Sequence, residues 1–306
     1  MHSLTVITAL KKVRTFMHGG LISIKEALPT LKPQERIVAD FILAHPEQTV
    51  KLSVQKLAKL TGVSEATIIR LSRSLHFKGF QELKMRLVAD LAQPTWALQD
   101  TEAYQEIQVE GLTSTLIDSI SHNNMQSIQD TLAVLSAKEV ERAIEAIEGA
   151  RKICVFGIGA SAIIAQDFMQ KFSRIDRWCE AAYDFNSQAT LAANLTEHDV
   201  AFGVSYSGQT EDIIQSLTVA KESGATIITL TKFGSNPVSG LADIKLFTTS
   251  LEKGIRSSAT ASRITQLNVI DILYVGVIRL NFESTVGLLE NTRKAVRSSK
   301  RDGNVE

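Results

Sequence analysis

Ile153-Cys154-Val155-Phe156-Gly157-Ile158-Gly159-Ala160-Ser161 and Val200-Ala201-Phe202-Gly203-Val204-Ser205-Tyr206-Ser207-Gly208-Gln209-Thr210 are two copies of one design. Each begins as a short, fully apolar run and ends in a small, hydroxyl-bearing loop. A helical pattern follows the second loop, with Ile213, Ile214, Leu217 and Ala220 on one face and Glu211, Asp212 and Lys221 on others. The spacing predicts a buried strand, a tight turn and a helix, twice. In an open parallel sheet that carboxyl-end edge is where ligands bind. Small residues let the backbone approach a ligand, and free N–H groups with the helix dipole favour an anion. One helix cap needs one hydroxyl. Ser205, Ser207 and Thr210 within six positions, matched by Ser161, exceed that need and point to a phosphate or sugar site. Neither loop ends in Gly-Lys-Ser/Thr, which argues against nucleotide triphosphate hydrolysis. The first lacks the third glycine of a dinucleotide fingerprint, which argues against NAD.

The rest of the carboxyl-terminal half alternates in the same way. Strands are predicted at Lys152–Phe156, Glu180–Tyr183, Val200–Val204, Thr226–Leu230 and Lys245–Thr248. Helices are predicted near Ala162–Arg174, Ser187–Leu195, Glu211–Ser223 and Pro237–Leu241. Apolar strands with crossover helices imply a parallel five-stranded sheet covered on both faces. A long helix from Ser258 to Asn281 carries Leu267, Ile270, Leu273, Tyr274, Val277 and Ile278 for a core or a subunit interface. Arg293 to Arg301 reads as a solvated basic tail.

The first third is different in kind. Its 23–91 stretch is compact and helical, after a leader of residues 1–22. Ile37, Val38, Phe41 and Ile42 share one helical face, and His45-Pro46 ends that helix. Ser53 caps a short helix bearing Val54, Leu57, Ala58 and Leu60. Gly62 stops it, and Ser64 caps the next, with an inner face near Ala66, Ile69, Leu71 and Leu75. Two short helices joined by Thr61-Gly62-Val63 form a helix-turn-helix pattern, whose second helix reads the DNA major groove. That helix offers Ser64, Glu65, Thr67, Arg70 and Arg73, with Lys78 and Lys84 beyond it. Between Lys51 and Arg86 there are eight basic residues and two acidic ones, an excess of six positive charges on a chain whose formal net charge is zero. Such a local excess is the footprint of phosphate contacts. Residues 92–110 are polar and aperiodic and read as an interdomain linker. Helices are predicted in 111–149, with Leu132, Leu135, Val140, Ala143, Ile144 and Ile147 packing on the next domain or on a second subunit.

With 306 residues, 44% hydrophobic and 22% charged, the chain has ordinary globular composition and length for two domains. Cys154 and Cys179 form no C-x-x-C pair and read as core residues in a reducing compartment; no metal site or cofactor is implied. The pattern shows no signal peptide and no run long enough to span a bilayer, since Asp271 interrupts the most apolar one. The expectation is a cytoplasmic protein.

Taken together these motifs resemble the RpiR-type bacterial transcription regulators, an amino-terminal all-α helix-turn-helix domain followed by an α/β sugar isomerase (SIS) domain. The resemblance covers about Ile24 to Arg297. It rests on Ser64-Glu-Ala-Thr-Ile-Ile-Arg70-Leu-Ser-Arg73-Ser-Leu75 with Phe77-Lys-Gly79-Phe80-Gln-Glu-Leu83-Lys84, and on the two loops with Lys171-Phe-Ser-Arg174-Ile175 and Arg256-Ser-Ser-Ala-Thr-Ala-Ser262-Arg263. His76 stands where family members usually have glycine. The resemblance implies a phosphosugar held by Ser161, Ser205, Ser207 and Thr210, with Gly159 and Gly208 giving backbone access. Asp184–Asn186 and Glu252–Ser258, including Glu252 and Arg256, would face the sugar. The overall look is similar to members that sense N-acetylmuramic acid 6-phosphate. It further implies a dimer or tetramer on palindromic operator DNA, most simply a repressor of sugar or amino-sugar catabolism genes. The alternative is an SIS isomerase or etherase. Such an enzyme needs a general base, and Ser257–Ile270 contains no carboxylate, with Glu252 the nearest candidate. A non-enzymatic regulator is therefore expected.

Overall fold

The computed structural model describes residues 19–75, 77–91, 113–250 and 259–298. The amino-terminal part is a cluster of helices: α1 (Gly20–Ala27), a 3-10 turn (Leu28–Thr30), α2 (Pro33–Ala44), α3 (Pro46–Thr49), α4 (Val54–Thr61), α5 (Glu65–Ser74) and α6 (Phe80–Leu91). Helix starts follow the local chemistry. Pro33 and Pro46 occupy first-turn positions, where the missing N–H costs nothing. Ser53 and Ser64 accept hydrogen bonds from Lys56 and Thr67 N–H. Gly62 ends α4 at φ +68°. Ile24, Val38, Ala39, Ile42, Leu57, Ile68, Leu71, Leu75, Leu83 and Leu87 form one core.

Three details depart from expectation here. Helix α1 begins at Gly20, inside the stretch read as a leader. Ile37 is 46% exposed and Leu60 54% exposed, because α2 turns Val38, Ala39 and Ile42 inward and α4 turns Leu57 and Ala58 inward. The inner face of α5 is Thr67, Ile68, Leu71 and Ser72 rather than Ala66 and Ile69.

The second part opens with α7 (Thr113–Val134) and α8 (Ala137–Gly149). It continues β1 (Ile153–Phe156), α9 (Ala160–Ser173), β2 (Cys179–Ala182), α10 (Phe185–Ala192), β3 (Val200–Ser205), α11 (Glu211–Glu222), β4 (Thr226–Lys232), α12 (Pro237–Leu241) and β5 (Ile244–Thr248). It closes with α13 (Thr260–Leu280) and α14 (Phe282–Ser298). The sheet is parallel throughout, in the order β2-β1-β3-β4-β5. Alternation along the strands divides the core. Ile153, Val155, Phe202, Ile228 and Leu246 face α8, α9 and α13, where Phe168 stacks on Phe172. Cys154, Phe156, Ala201 and Ile227 face α10, α11 and α12. Cys154 and Cys179 are free and buried, and burial pushes both thiols up to about 12.

Helix α7 buries Asn123, Ser127, Thr131 and Val134, while Leu132, expected to pack on the next domain or on a second subunit, is 39% exposed in the single chain. The reason lies just past β5. Thr249 has left the sheet ladder, and Thr131 Oγ1 accepts from its N–H at 3.1 Å and donates to its carbonyl at 3.2 Å. Helix α14 runs through residues expected to be a tail. Helix α13 is long and apolar enough by composition to cross a membrane, contrary to expectation. Its Val269, Ile270, Leu273 and Val277 instead lie in the core against the sheet.

Helix α1 docks on the second part. Gly19 N–H donates to Ala133 O, Ile22 packs on Val134, Phe233 and Phe247, and Glu26 pairs with Lys232 at 2.9 Å. Near this seam burial pushes the Asp130 carboxyl from 3.8 up to about 6; Glu26 adds to the shift, and Gln126 and Lys25 oppose it. The folded state thus holds the Asp130 proton more tightly than the unfolded chain. Its favourable contribution is complete below about pH 4 and is lost as pH rises through about 6. Asp130→Asn is expected to stabilise the protein at pH 7.5 by on the order of 1–3 kcal/mol, with the gain shrinking toward pH 5. Denaturant titrations at both pH values check this, and an equal gain at both would discard the protonation account.

Candidate functional site

Strands β1 and β3 are neighbours, yet the chain leaves β1 toward β2 and leaves β3 toward β4. Helices α9 and α11 therefore depart to opposite faces, which opens a crevice at the carboxyl ends of these two strands. Both hydroxyl-rich turns lie there. The first turn is tight: a Cβ on Gly157 would overlap the Ser161 carbonyl, and Gly159 sits at φ +59°, ψ −124° as the residue before α9. That backbone favours glycine. Ser161 thus lies in the first turn of α9, and its N–H donates to Ile158 O.

The second turn is knitted by its own side chains. Ser205 is buried at the end of β3, its Oγ 2.9 Å from Thr210 Oγ1 and accepting from Gly208 N–H at 3.2 Å. Ser207 is exposed, and its Oγ accepts from Gln209 N–H. Thr210 precedes α11 without capping it through its side chain. Gly208 has φ +67°, and a Cβ there would overlap the Asn236 amide. The structure thus brings Gly159, Ser161, Ser205, Ser207, Gly208 and Thr210 to one crevice, beside the amino ends of α9 and α11. Amide N–H groups, hydroxyls and two helix dipoles in one place suit an oxyanion. Glu252 and Arg256 lie outside the described residues. Asp184 is committed to capping α10: its carboxylate accepts from Ser187 N–H at 3.0 Å and Ser187 Oγ at 2.7 Å, which holds it below the usual carboxylate range. Asp271 pairs with Lys171, as a structural group would.

Sequence reasoning missed the supports of the crevice. Gln188 is fully buried, donates to the Gly157 and Ala182 carbonyls, and accepts from Ser216 Oγ. Asn236 donates to Thr231 Oγ1 and Gly234 O and accepts from Ser239 N–H. Tyr206 OH lies 2.7 Å from Ser250 Oγ, tying the second turn to the end of β5. Of these, the sequence had pointed only to the helix at Pro237–Leu241 that follows Asn236. An open depression at the opposite edge of the sheet, lined by Arg151, Asp176, Arg177 and Trp178, offers little chemistry, because Arg151 is paired with Asp199 and Arg177 with Glu148.

In the amino-terminal part, α5 turns Ser64, Glu65, Arg70 and Arg73 outward. Thr67 is corrected as a base-reading candidate. It is 4% exposed, and its hydroxyl is used by Ser64 Oγ and by Arg70 Nη2 at 3.2 Å. Lys78 is exposed, whereas Lys84 donates its ammonium to Leu52 O at 3.0 Å, pinning α6 to the segment before α4. His76 lies outside the described residues.

Residues 18–94 match the helix-turn-helix domain of the rpiR family, and residues 146–276 match the SIS domain. The chain is 40% identical to the HTH-type transcriptional regulator YbbH of Bacillus subtilis, over 92% of this chain and 98% of that protein. It is 43% identical to the HTH-type regulator TTE0211 of Caldanaerobacter subterraneus, over 93% and 99%. The chain belongs to the RpiR family of helix-turn-helix transcriptional regulators. The RpiR fold is shared with Vibrio vulnificus NanR, solved with ManNAc-6P, at a TM-score of 0.57 and 24% identity over 92% of this chain and 98% of that one. In this RpiR regulator, then, the helix-turn-helix carries α5 on its surface, and the crevice between β1 and β3 belongs to the SIS domain.

Proposed function

We propose that this RpiR regulator is a repressor of sugar or amino-sugar catabolism genes, released from its operator by a phosphosugar. The observation that carries this reading is the meeting of two hydroxyl-bearing turns and two helix amino ends at the β1/β3 switch point. They lie in a chain whose other domain presents a basic helix-turn-helix. Ser161, Ser205, Ser207 and Thr210 hold the phosphate, Gly159 and Gly208 admit it to the backbone, and Glu252 and Arg256 face the sugar. Ser64, Glu65, Arg70 and Arg73 face the major groove, with Lys78 on the phosphate backbone side. The SIS domains pair the chains as a dimer or tetramer, so the operator is palindromic. The phosphosugar acts by binding one domain arrangement more tightly than another. NanR holds ManNAc-6P, so N-acetylated hexosamine 6-phosphates, N-acetylmuramic acid 6-phosphate among them, are the first class to test.

The test is a thermal-shift screen against these compounds and glucosamine 6-phosphate, with each hit assayed for product. A ligand that binds only the native state raises its stability by about 2.7 kcal/mol at a hundredfold excess over Kd. A shift without turnover is the expected result. A consumed hit makes the SIS domain an isomerase or etherase, and no shift from any compound rejects the effector class. Ser207→Ala is expected to lower the shift while leaving operator affinity unchanged, because this exposed hydroxyl supports only the Gln209 N–H. An equal shift in the variant removes Ser207 from the site.

A further inference from the structure

Lys232 is the last residue of β4, and it is tied to both halves of the molecule. Its main chain belongs to the crevice. Lys232 N–H donates at 2.8 Å to the carbonyl of Tyr206, the residue between Ser205 and Ser207. Its carbonyl accepts from Thr231 Oγ1 at 3.1 Å and from Asn236 Nδ2 at 3.4 Å, and Asn236 is the side chain packed against Gly208. The backbone of Lys232 is therefore bracketed by the second turn on one side and by the group that supports that turn on the other. Its side chain meets Glu26 Oε2 at 2.9 Å.

Glu26 lies on α1, between Ile24 and Ala27, which are both in the core of the helix-turn-helix domain. The same helix is held at its start by Asp90 of α6, whose carboxylate accepts from Leu21 N–H at 2.8 Å. Displacement of Glu26 thus moves a helix packed into the DNA-binding domain. The other contacts between α1 and the SIS domain, Gly19 N–H to Ala133 O and Ile22 on Val134, Phe233 and Phe247, follow the same line at the ends of β4 and β5. The Glu26–Lys232 contact joins α1 to a residue that is itself hydrogen-bonded to the second turn. The Lys232 side chain is 38% exposed and that of Glu26 13%. Glu26 is largely buried, so Lys232→Gln strands its carboxylate, whereas Glu26→Gln leaves only the more exposed ammonium unpaired and is the milder loss.

We infer that the Glu26–Lys232 ion pair is the coupling contact through which occupancy of the Ser205–Thr210 turn is passed to the helix-turn-helix domain. This rests on the effector reading above. An anion drawn into the turn reorganises Tyr206 and Gly208, shifts the Lys232 backbone through its hydrogen bonds, and loosens the ammonium from Glu26. Helix α1 then docks less firmly, and the DNA-binding domain changes its position.

The test is amide hydrogen exchange on the full-length protein, with and without N-acetylmuramic acid 6-phosphate, ManNAc-6P and inorganic phosphate. Wild type, Glu26→Gln, Lys232→Gln and the charge swap Glu26→Lys with Lys232→Glu are compared. In the wild type, the ligand is expected to slow exchange in residues 205–210 and to speed exchange in α1 by about fivefold, the lower end of ordinary coupling between sites. In both single variants the turn is still protected and α1 no longer responds; the charge swap restores the response. An undiminished α1 response in both single variants overturns the inference while leaving the effector site standing. A turn unprotected by any of the three ligands in the wild type overturns the effector reading and the inference with it.

Discussion

Gly208→Ala is expected to abolish the phosphosugar response and to lower the melting temperature of the SIS domain by roughly 6–16 °C. Two costs add. The backbone at φ +67° disfavours any side chain by about 1 kcal/mol. The new Cβ also overlaps the Asn236 amide, which cannot swing away without giving up Thr231 Oγ1, Gly234 O and Ser239 N–H. Hydrogen bonds of this kind are worth about 1 kcal/mol each. A total near 3–4 kcal/mol lies in the upper range for single substitutions, and a domain of this size shifts by about 2–4 °C per kcal/mol. The companion variant Gly208→Ala/Asn236→Ala removes the overlap, and its stability is expected to exceed the sum of the single effects by at least about 1 kcal/mol. Thermal melts with and without ligand make the measurement. Wild-type behaviour in Gly208→Ala would mean that the turn is not the one described.

Arg70→Ala is expected to weaken operator binding by about 1–3 kcal/mol, a loss of roughly 5- to 150-fold, and to relax specificity at one base pair. Arg70 is exposed on α5, and its guanidinium is steadied by Thr67 Oγ1 at 3.2 Å. The buried Thr67 therefore serves recognition by holding the arginine. Lys78→Ala should behave differently. It weakens binding evenly across sequences and lowers the slope of log affinity against log salt by about 1. Folding stability changes little in either case, since both side chains are exposed. Binding curves at several salt concentrations, on matched and mutated operators, separate the two behaviours. An unchanged affinity in Arg70→Ala would move the recognition surface away from α5.

The elements that could be read from sequence are those whose signal is local. All five strands appear within two residues of their expected ends, since each is a short apolar run bounded by turn residues. Ser53, Gly62 and Ser64 mark the helix-turn-helix because caps act over three or four residues. Where several neighbouring residues were apolar, the choice of inner face failed, as with Ile37 and Leu60 and with Ala66 and Ile69 in α5. Periodicity narrows a helix to a stripe, and only its packing partners choose within it. The fourth strand was expected to stop at Leu230; it continues because Thr231 and Lys232 pair with Phe247 and Thr248 of β5. Those two extra residues hid Lys232.

Local chemistry thus specified a parallel α/β domain behind a helix-turn-helix, and it marked the two turns where an anion would be held. Tertiary structure alone decided how the turns are supported and what they touch. The Gln188 amide under Gly157, Asn236 beneath Gly208, and Glu26 against Lys232 join residues 31, 28 and 206 positions apart. Contacts of that range depend on where the sheet order and the docking of α1 place each side chain, and no spacing along the chain encodes them.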